Sequence, residues 1–312
     1  MKLRTGAGPL TSNVGAWMIE RIIGHHPVVE EMPARSRARW FAALSTSDAE
    51  RPSGWIQAIV LLPFVVLIYA SLLLDDATVS WLLPEEHPIE LLGALGLLAA
   101  GIACLVLWRR VRRRSSWPFL RRFSLLALAA LFVFGFGEEI SWGQRIFGYG
   151  TPESLAEANA QGETNVHNLA ALGGWLNMDR MFQVFWLLIG VVIPLLALWA
   201  RPRRFLQRLV PILPVALAGL FVLNQILTKA LHDAFVHDPG LWNSTKFGFT
   251  HGIFETKETV SCVLLATGFW LLVLRDRASS RGNAQEPDPP HEALQPRATG
   301  EEQVAGARTG PL

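Results

Sequence analysis

The apolar residues of this chain fall in long unbroken blocks, and that arrangement leaves few folds open. A helix needs about 20 apolar residues to cross the roughly 30 Å of bilayer hydrocarbon. Inside lipid it is also the segment that satisfies all of its own backbone N–H and C=O groups. Six blocks reach the required length, at roughly 55–74, 91–108, 123–142, 181–199, 209–229 and 253–274. The composition agrees, with 51% hydrophobic and 17% charged residues. The expectation is an all-α, polytopic integral membrane protein: a bundle of six transmembrane helices over 55–275, an N-terminal segment 1–54 and a C-terminal tail 276–312. The tail is rich in Pro, Gly, Ala and Glu without apolar periodicity and reads as disordered. The first 54 residues lack the apolar core of a signal peptide, although "VGAWMIERIIG" is amphipathic enough to lie on a membrane surface. Cys104 and Cys262 both fall inside apolar runs, which excludes a disulfide framework.

The loops alternate in charge. Arginines 109, 110, 112, 113, 114, 121 and 122 join the second block to the third, and 201, 203, 204 and 208 join the fourth to the fifth. The first loop of the other set carries Asp75, Asp76, Glu85, Glu86 and Glu90 with no Lys or Arg. Positive residues stay on the cytoplasmic side, so both termini are expected to be cytoplasmic and the acidic loops external. The expected location is the plasma (inner) membrane, with membrane lipids as neighbours and no nucleic-acid partner.

Against this apolar background the polar residues gather in one layer. Counting from the cytoplasmic arginines at about 1.5 Å per residue puts Glu138, Glu139 and Glu258 about one turn inside the outer leaflet. In "HGIFETKETVSC", His251, Glu255, Glu258 and Cys262 share one helical face, with Lys257 about 100° around the helix from Glu258. In "NQILTKALHD", Gln225, Lys229 and His232 share a stripe beside Asn224 and Thr228. In "FGEEISWGQRIF", an unbroken helix would align Glu138, Ser141 and Arg145. Glu163 and His167 of "GETNVHNL" would share one face of a short helix in the loop that follows. Plainer readings exist for each: an ion network with Arg145, Arg180, Lys229 or Lys257, a snorkelling Glu255, interfacial histidines, and packing for Cys262. Carboxylates and imidazoles converging from separate segments nevertheless suit a divalent metal. Adjacent carboxylates beside a membrane core need a partner or a function.

"GEEISWGQRIFG" followed by "ETNVHNL" resembles a motif pair in an uncharacterised family of bacterial multi-pass membrane proteins, over the third to sixth spans. More distantly, the chain is similar to the membrane metal-hydrolase superfamily that includes alkaline ceramidases. That similarity implies a zinc site built from a Ser, an Asp and a His-x3-His pair. Ser141 and Asp233 correspond by residue type, but the final pair here is His251-x3-Glu255 and the spans number six rather than seven.

These residues lead to a metal-dependent hydrolase or transferase, facing outward and acting on a lipid or lipid-linked substrate. Its divalent metal, most plausibly zinc, would draw on Glu139, Glu163, His167, His232, His251 and Glu255. The metal would activate water, with Glu258 or a spare carboxylate as general base and Arg145 or Lys229 stabilising the developing anion; Glu138 and Ser141 complete the candidate catalytic set. Two alternatives stay open: a transporter or ion- and proton-handling protein using the intramembrane carboxylates, and a structural or assembly protein held together by them.

Overall fold

The computed structural model describes Pro33 and residues 53–74, 76–82, 88–114, 116–159, 162–166, 169, 178–237 and 246–284. The N-terminal segment, with its amphipathic stretch, falls outside these residues apart from Pro33 and the start of the first helix, as does the tail beyond 284. The described chain is almost wholly helical and contains no strand, only an isolated bridge between Asn159 and Leu169. In order, the helices are α1 (Ser53–Ala70), α2 (Asp76–Leu82), α3 (Pro88–Val111), α4 (Phe119–Glu139), α5 (Gln144–Phe147), α6 (Glu153–Ala158) and α7 (Met178–Leu187). A π-helical segment, Leu188–Val192, continues α7 into α8 (Ile193–Leu196). There follow α9 (Ala200–Leu209), α10 (Val215–His237) and α11 (Lys246–Ala284).

Five of these, α1, α3, α4, α10 and α11, are long and apolar enough to cross a membrane. The block expected to be the fourth span gives a shorter apolar helix, Arg180–Leu196. Its irregular centre has a local cause. Pro194 has no N–H to return to the carbonyl of Gly190, so the α-ladder is interrupted where the π turn forms. Gly190 is required there, because a Cβ would come within 2.6 Å of the Phe221 ring of α10. That ring stacks on Trp186 at 5.7 Å and 13°.

The central element is α11. Within its membrane window 67% of residues are buried, against 22% in each of α1 and α4. While α4 packs on α3, helices α3, α10 and α1 pack on α11. Its closest neighbour is α3, which runs parallel to it. Gly93 faces Thr259 so closely that a Cβ would lie 2.8 Å from Thr259 Oγ1, and a Cβ at Gly96 would lie 3.0 Å from the Cys262 carbonyl carbon. This approach lets Thr259 Oγ1 donate to the Ile89 carbonyl at 2.8 Å. Small residues at such contacts let helices gain dispersion and hydrogen bonds that lipid cannot supply. At the other end Arg110 donates to the Val273 carbonyl at 2.9 Å and Arg114 pairs with Asp276. Phe132 of α4 seats edge-on between Phe185 and Phe269, closing the middle of the bundle. Large apolar residues such as Ile59, Val60, Leu67, Val222 and Ile226 point outward, as lipid-facing surfaces do.

Candidate functional site

The expected unbroken helix through "GEEISWGQ" is not what forms. Helix α4 ends at Glu139; Ile140 leaves the helical region, and Ser141 (φ 45°), Trp142 (φ 56°) and Gly143 (φ 80°) form a left-handed turn before α5. Positive φ costs an L-residue about 1–2 kcal/mol, and here two non-glycine residues adopt it in succession. What holds them is Trp142. Its indole folds back along α4, donates Nε1–H to Glu138 Oε1 at 2.7 Å, and meets Phe134 edge-on at 5.7 Å. Gly137 leaves the space for the ring, since a Cβ there would lie 2.8–3.0 Å from three of its carbons. Tyr149 donates its hydroxyl to the Trp142 carbonyl at 3.0 Å and tightens the turn.

The loop that follows α6 then returns over this turn and joins it. Glu138 Oε2 accepts the Val166 N–H at 2.6 Å, and Gln144 Oε1 accepts the Thr164 N–H at 2.7 Å. Ser141 donates its hydroxyl to Glu163 Oε2 at 2.6 Å. Asn165 Nδ2 reaches both Glu163 Oε2, at 2.8 Å, and Ser141 Oγ, at 3.2 Å. From behind, Asn159 donates Nδ2–H to the Asn165 carbonyl and Oδ1 at 2.9 and 2.8 Å, and accepts the Glu163 N–H at 3.2 Å. Glu138, Ser141, Asn159, Glu163 and Asn165 are all buried. Two stretches some 20 residues apart therefore make one hydrogen-bonded unit, and every member is polar because every member has a bond to make.

This geometry corrects the helical chelate expected of Glu163 and His167. Residues 162–166 are not helical, and Glu163 is turned to Ser141; His167 lies outside the described residues. Glu139, half-buried, does approach α11: it, Glu255 and Glu258 all lie within electrostatic range of Cys262. Cys262 itself packs against Gly96. Lys229 is exposed and gives its ammonium to Asp233 at 2.7 Å, while His232 lies 3.8 Å from the same carboxylate and against the Phe254 ring. The side chains of Arg145 and His251 fall outside the description. Among the described residues no three His, Cys, Asp or Glu come together as metal ligands. Glu138 and Glu163 have instead turned oxygens toward protein N–H and O–H donors. His167 and the His251 side chain, two of the ligands that the sequence suggested, lie outside that description.

Several residues carry more than their sequence position promised. Lys257, expected to lie off the working face, is buried, with its ammonium 3.9 Å from Glu258 Oε1 and 5.0 Å from the centre of the Phe254 ring. Beside it runs a second polar network, linking α1, α10 and α11. Tyr69 donates its hydroxyl to Asn224 Oδ1 at 2.5 Å and lies 2.7 Å from Thr228 Oγ1. Asn224 Nδ2 reaches the Lys257 carbonyl at 2.9 Å and Ser261 Oγ at 3.0 Å. The signal for it was the Asn224/Thr228 pair, four apart in an otherwise apolar run. Asn159, Asn165 and Gln144 gave no comparable signal, since a loop asparagine is ordinary until its partners are known.

Comparison of the chain with protein-family models, with curated proteins and with solved structures found no match. The reading of the site rests on its own chemistry.

Proposed function

We propose that the protein is a six-span membrane hydrolase or transferase with both termini on the cytoplasmic, arginine-rich side. Its site lies at the extracytoplasmic boundary and acts on an ester of a lipid or lipid-linked substrate. One observation carries this reading: Ser141, on a left-handed turn at the end of a span, donates its hydroxyl to Glu163 across 2.6 Å. Strained backbone persists where surrounding structure enforces it, and a hydroxyl bonded to a carboxylate has the geometry of a nucleophile with its base.

In the reaction, Ser141 Oγ attacks the ester carbonyl carbon as its proton passes to Glu163. The carbonyl π electrons move to oxygen and return as the ester C–O bond breaks, and the leaving alkoxide takes the proton from Glu163. Water, or a second alcohol in a transferase, then attacks the acyl-serine and gives its proton to Glu163; as the acyl C–Oγ bond breaks, Glu163 returns a proton to Ser141 Oγ, releasing the product and restoring both residues. Asn165 orients the Glu163 carboxylate. Glu138 acts as a positioning residue, holding the turn through Trp142 and the loop through Val166. Exposed Ile146 and Phe147 on α5 supply an apolar lip suited to an acyl chain. No metal enters this scheme.

A fluorophosphonate probe added to the folded protein tests it without knowledge of the substrate. The expected adduct maps to Ser141, is lost in Ser141→Ala, and forms roughly 10²-fold more slowly or worse in Glu163→Gln. Absence of an adduct on folded wild-type protein rules the nucleophile out. A second reading, an ion- or proton-handling transporter, is favoured by the buried Lys257 beside Glu258 in a span. Under that reading Lys257→Met stops ion flux in proteoliposomes and leaves Ser141 labelling untouched.

A further inference from the structure

The end of the bundle opposite the Ser141 turn carries a concentration of positive charge that the described residues only partly neutralise. Helix α9 has the sequence "ARPRRFLQRL" and buries none of its residues. It lies against α4, whose first turns follow the arginine-rich loop after α3. No Asp or Glu occurs between residues 91 and 137 or between 181 and 232, so neither arginine cluster has an acidic neighbour in its own stretch of sequence. Among the described residues, Asp276 reaches this end and pairs with Arg114. Arg121 stacks on Trp117 at 3.7 Å and Arg122 donates to the Arg112 carbonyl. Arg201, Arg203, Arg204 and Arg208 of α9, with Arg109 and Arg113, have no ion pair among the described residues.

The same patch is apolar where it is not cationic. Phe205 of α9 and Phe119, Leu120 and Phe123 at the start of α4 are all exposed, and Trp199 is exposed at the entry to α9. Guanidinium groups interleaved with exposed aromatic rings, on a short helix between two membrane-spanning segments, match the boundary between headgroups and acyl chains. Arginine pairs bidentately with phosphate, and a membrane surface supplies phosphate and hydrocarbon in the required order.

We propose that α9 and the adjoining α3–α4 loop form a binding surface for anionic phospholipid headgroups, in which lipid phosphates pair with arginines that have no ion pair among the described residues. The inference is independent of the chemistry assigned to Ser141. It is tested on the full-length protein in detergent by native mass spectrometry and thermal shift, with added phosphatidylglycerol, phosphatidylcholine or inorganic phosphate. Phosphatidylglycerol is expected to be retained and to raise the melting temperature, phosphatidylcholine far less, and inorganic phosphate at the same concentration hardly at all. Each of Arg201→Gln, Arg203→Gln, Arg204→Gln and Arg208→Gln should weaken phosphatidylglycerol binding by about fivefold. Lys229→Gln, on α10 away from these arginines in sequence, should not weaken it. Size-exclusion profiles establish that each variant is folded. Equal retention of the two lipids, or unchanged binding in the quadruple variant, overturns the proposal. An equal shift with inorganic phosphate overturns the assignment to lipid.

Discussion

Adding one methyl group to Gly137 tests the architecture of the site directly. A Cβ there would fall 2.8, 2.9 and 3.0 Å from three carbons of the Trp142 ring, and an aromatic ring cannot yield by bending. Overpacking of this kind costs about 2 kcal/mol. Moving the indole also breaks its bond to the Glu138 carboxylate; because Trp142 is 44% exposed, water recovers part of that bond, leaving a loss of about 1 kcal/mol. Against this, alanine is favoured over glycine in a helix by about 1 kcal/mol. The net expectation for Gly137→Ala is a loss of about 2 kcal/mol, read from denaturant unfolding in mixed micelles followed by helix circular dichroism. The decisive measurement is the same substitution in a Trp142→Ala background. With the ring gone the clash disappears and only the helix preference remains, so Gly137→Ala should turn from destabilising to stabilising by about 1 kcal/mol. If it is equally destabilising in both backgrounds, Trp142 does not fold over Gly137 and the account of the turn fails.

Other expectations follow from the packing and the orientation. Asn224→Leu removes the shared partner of Tyr69, Ser261 and the Lys257 carbonyl. Because Tyr69 keeps Thr228 and the carbonyl keeps Ser261, the loss should be about 2 kcal/mol rather than the sum of full hydrogen bonds. A loss above about 5 kcal/mol in the same unfolding assay would contradict those fallback contacts. Gly93→Leu should separate α3 from α11, seen as a large drop in melting temperature with loss of the folded size-exclusion peak, whereas Gly219→Leu, with open space at its Cβ, should be tolerated. In a background lacking Cys104 and Cys262, a membrane-impermeant thiol reagent should label His87→Cys in intact cells and leave Ser115→Cys unmodified; the reverse pattern would invert the orientation.

Five of the six expected spans were legible because crossing a bilayer is a requirement on length and hydropathy, both one-dimensional. The turn at Ser141 was not, because Ile140, Ser141, Trp142 and Gln144 all tolerate a helix. What breaks it is a loop 20 residues away that supplies partners to Glu138, Ser141 and Gln144. Lys257 was misplaced for a related reason. The argument from its 100° offset assumes that one face of the helix is buried, whereas α11 buries Thr256, Lys257, Thr259, Ser261 and Cys262, residues that run right around its circumference. Periodicity carries no information on a helix enclosed from every side. The fourth apolar block was found in the right place, but not the π turn that Pro194 and Gly190 impose on it.

The central position of α11 bears on how the chain is made. Its contacts with α3 join residues about 165 apart in sequence, and its polar side meets α10 and, through Asn224, Tyr69 of α1. Helix α4 can pack on α3 as soon as both are made, but α1, α3 and α10 leave the ribosome before α11 exists. Gly93 and Gly96 must therefore wait in lipid or beside the insertion machinery with their native partners unsynthesised. A chain that stops before residue 246 leaves the small-residue face of α3 and the Asn224 amide without the partners that α11 supplies, and is a natural substrate for membrane quality control.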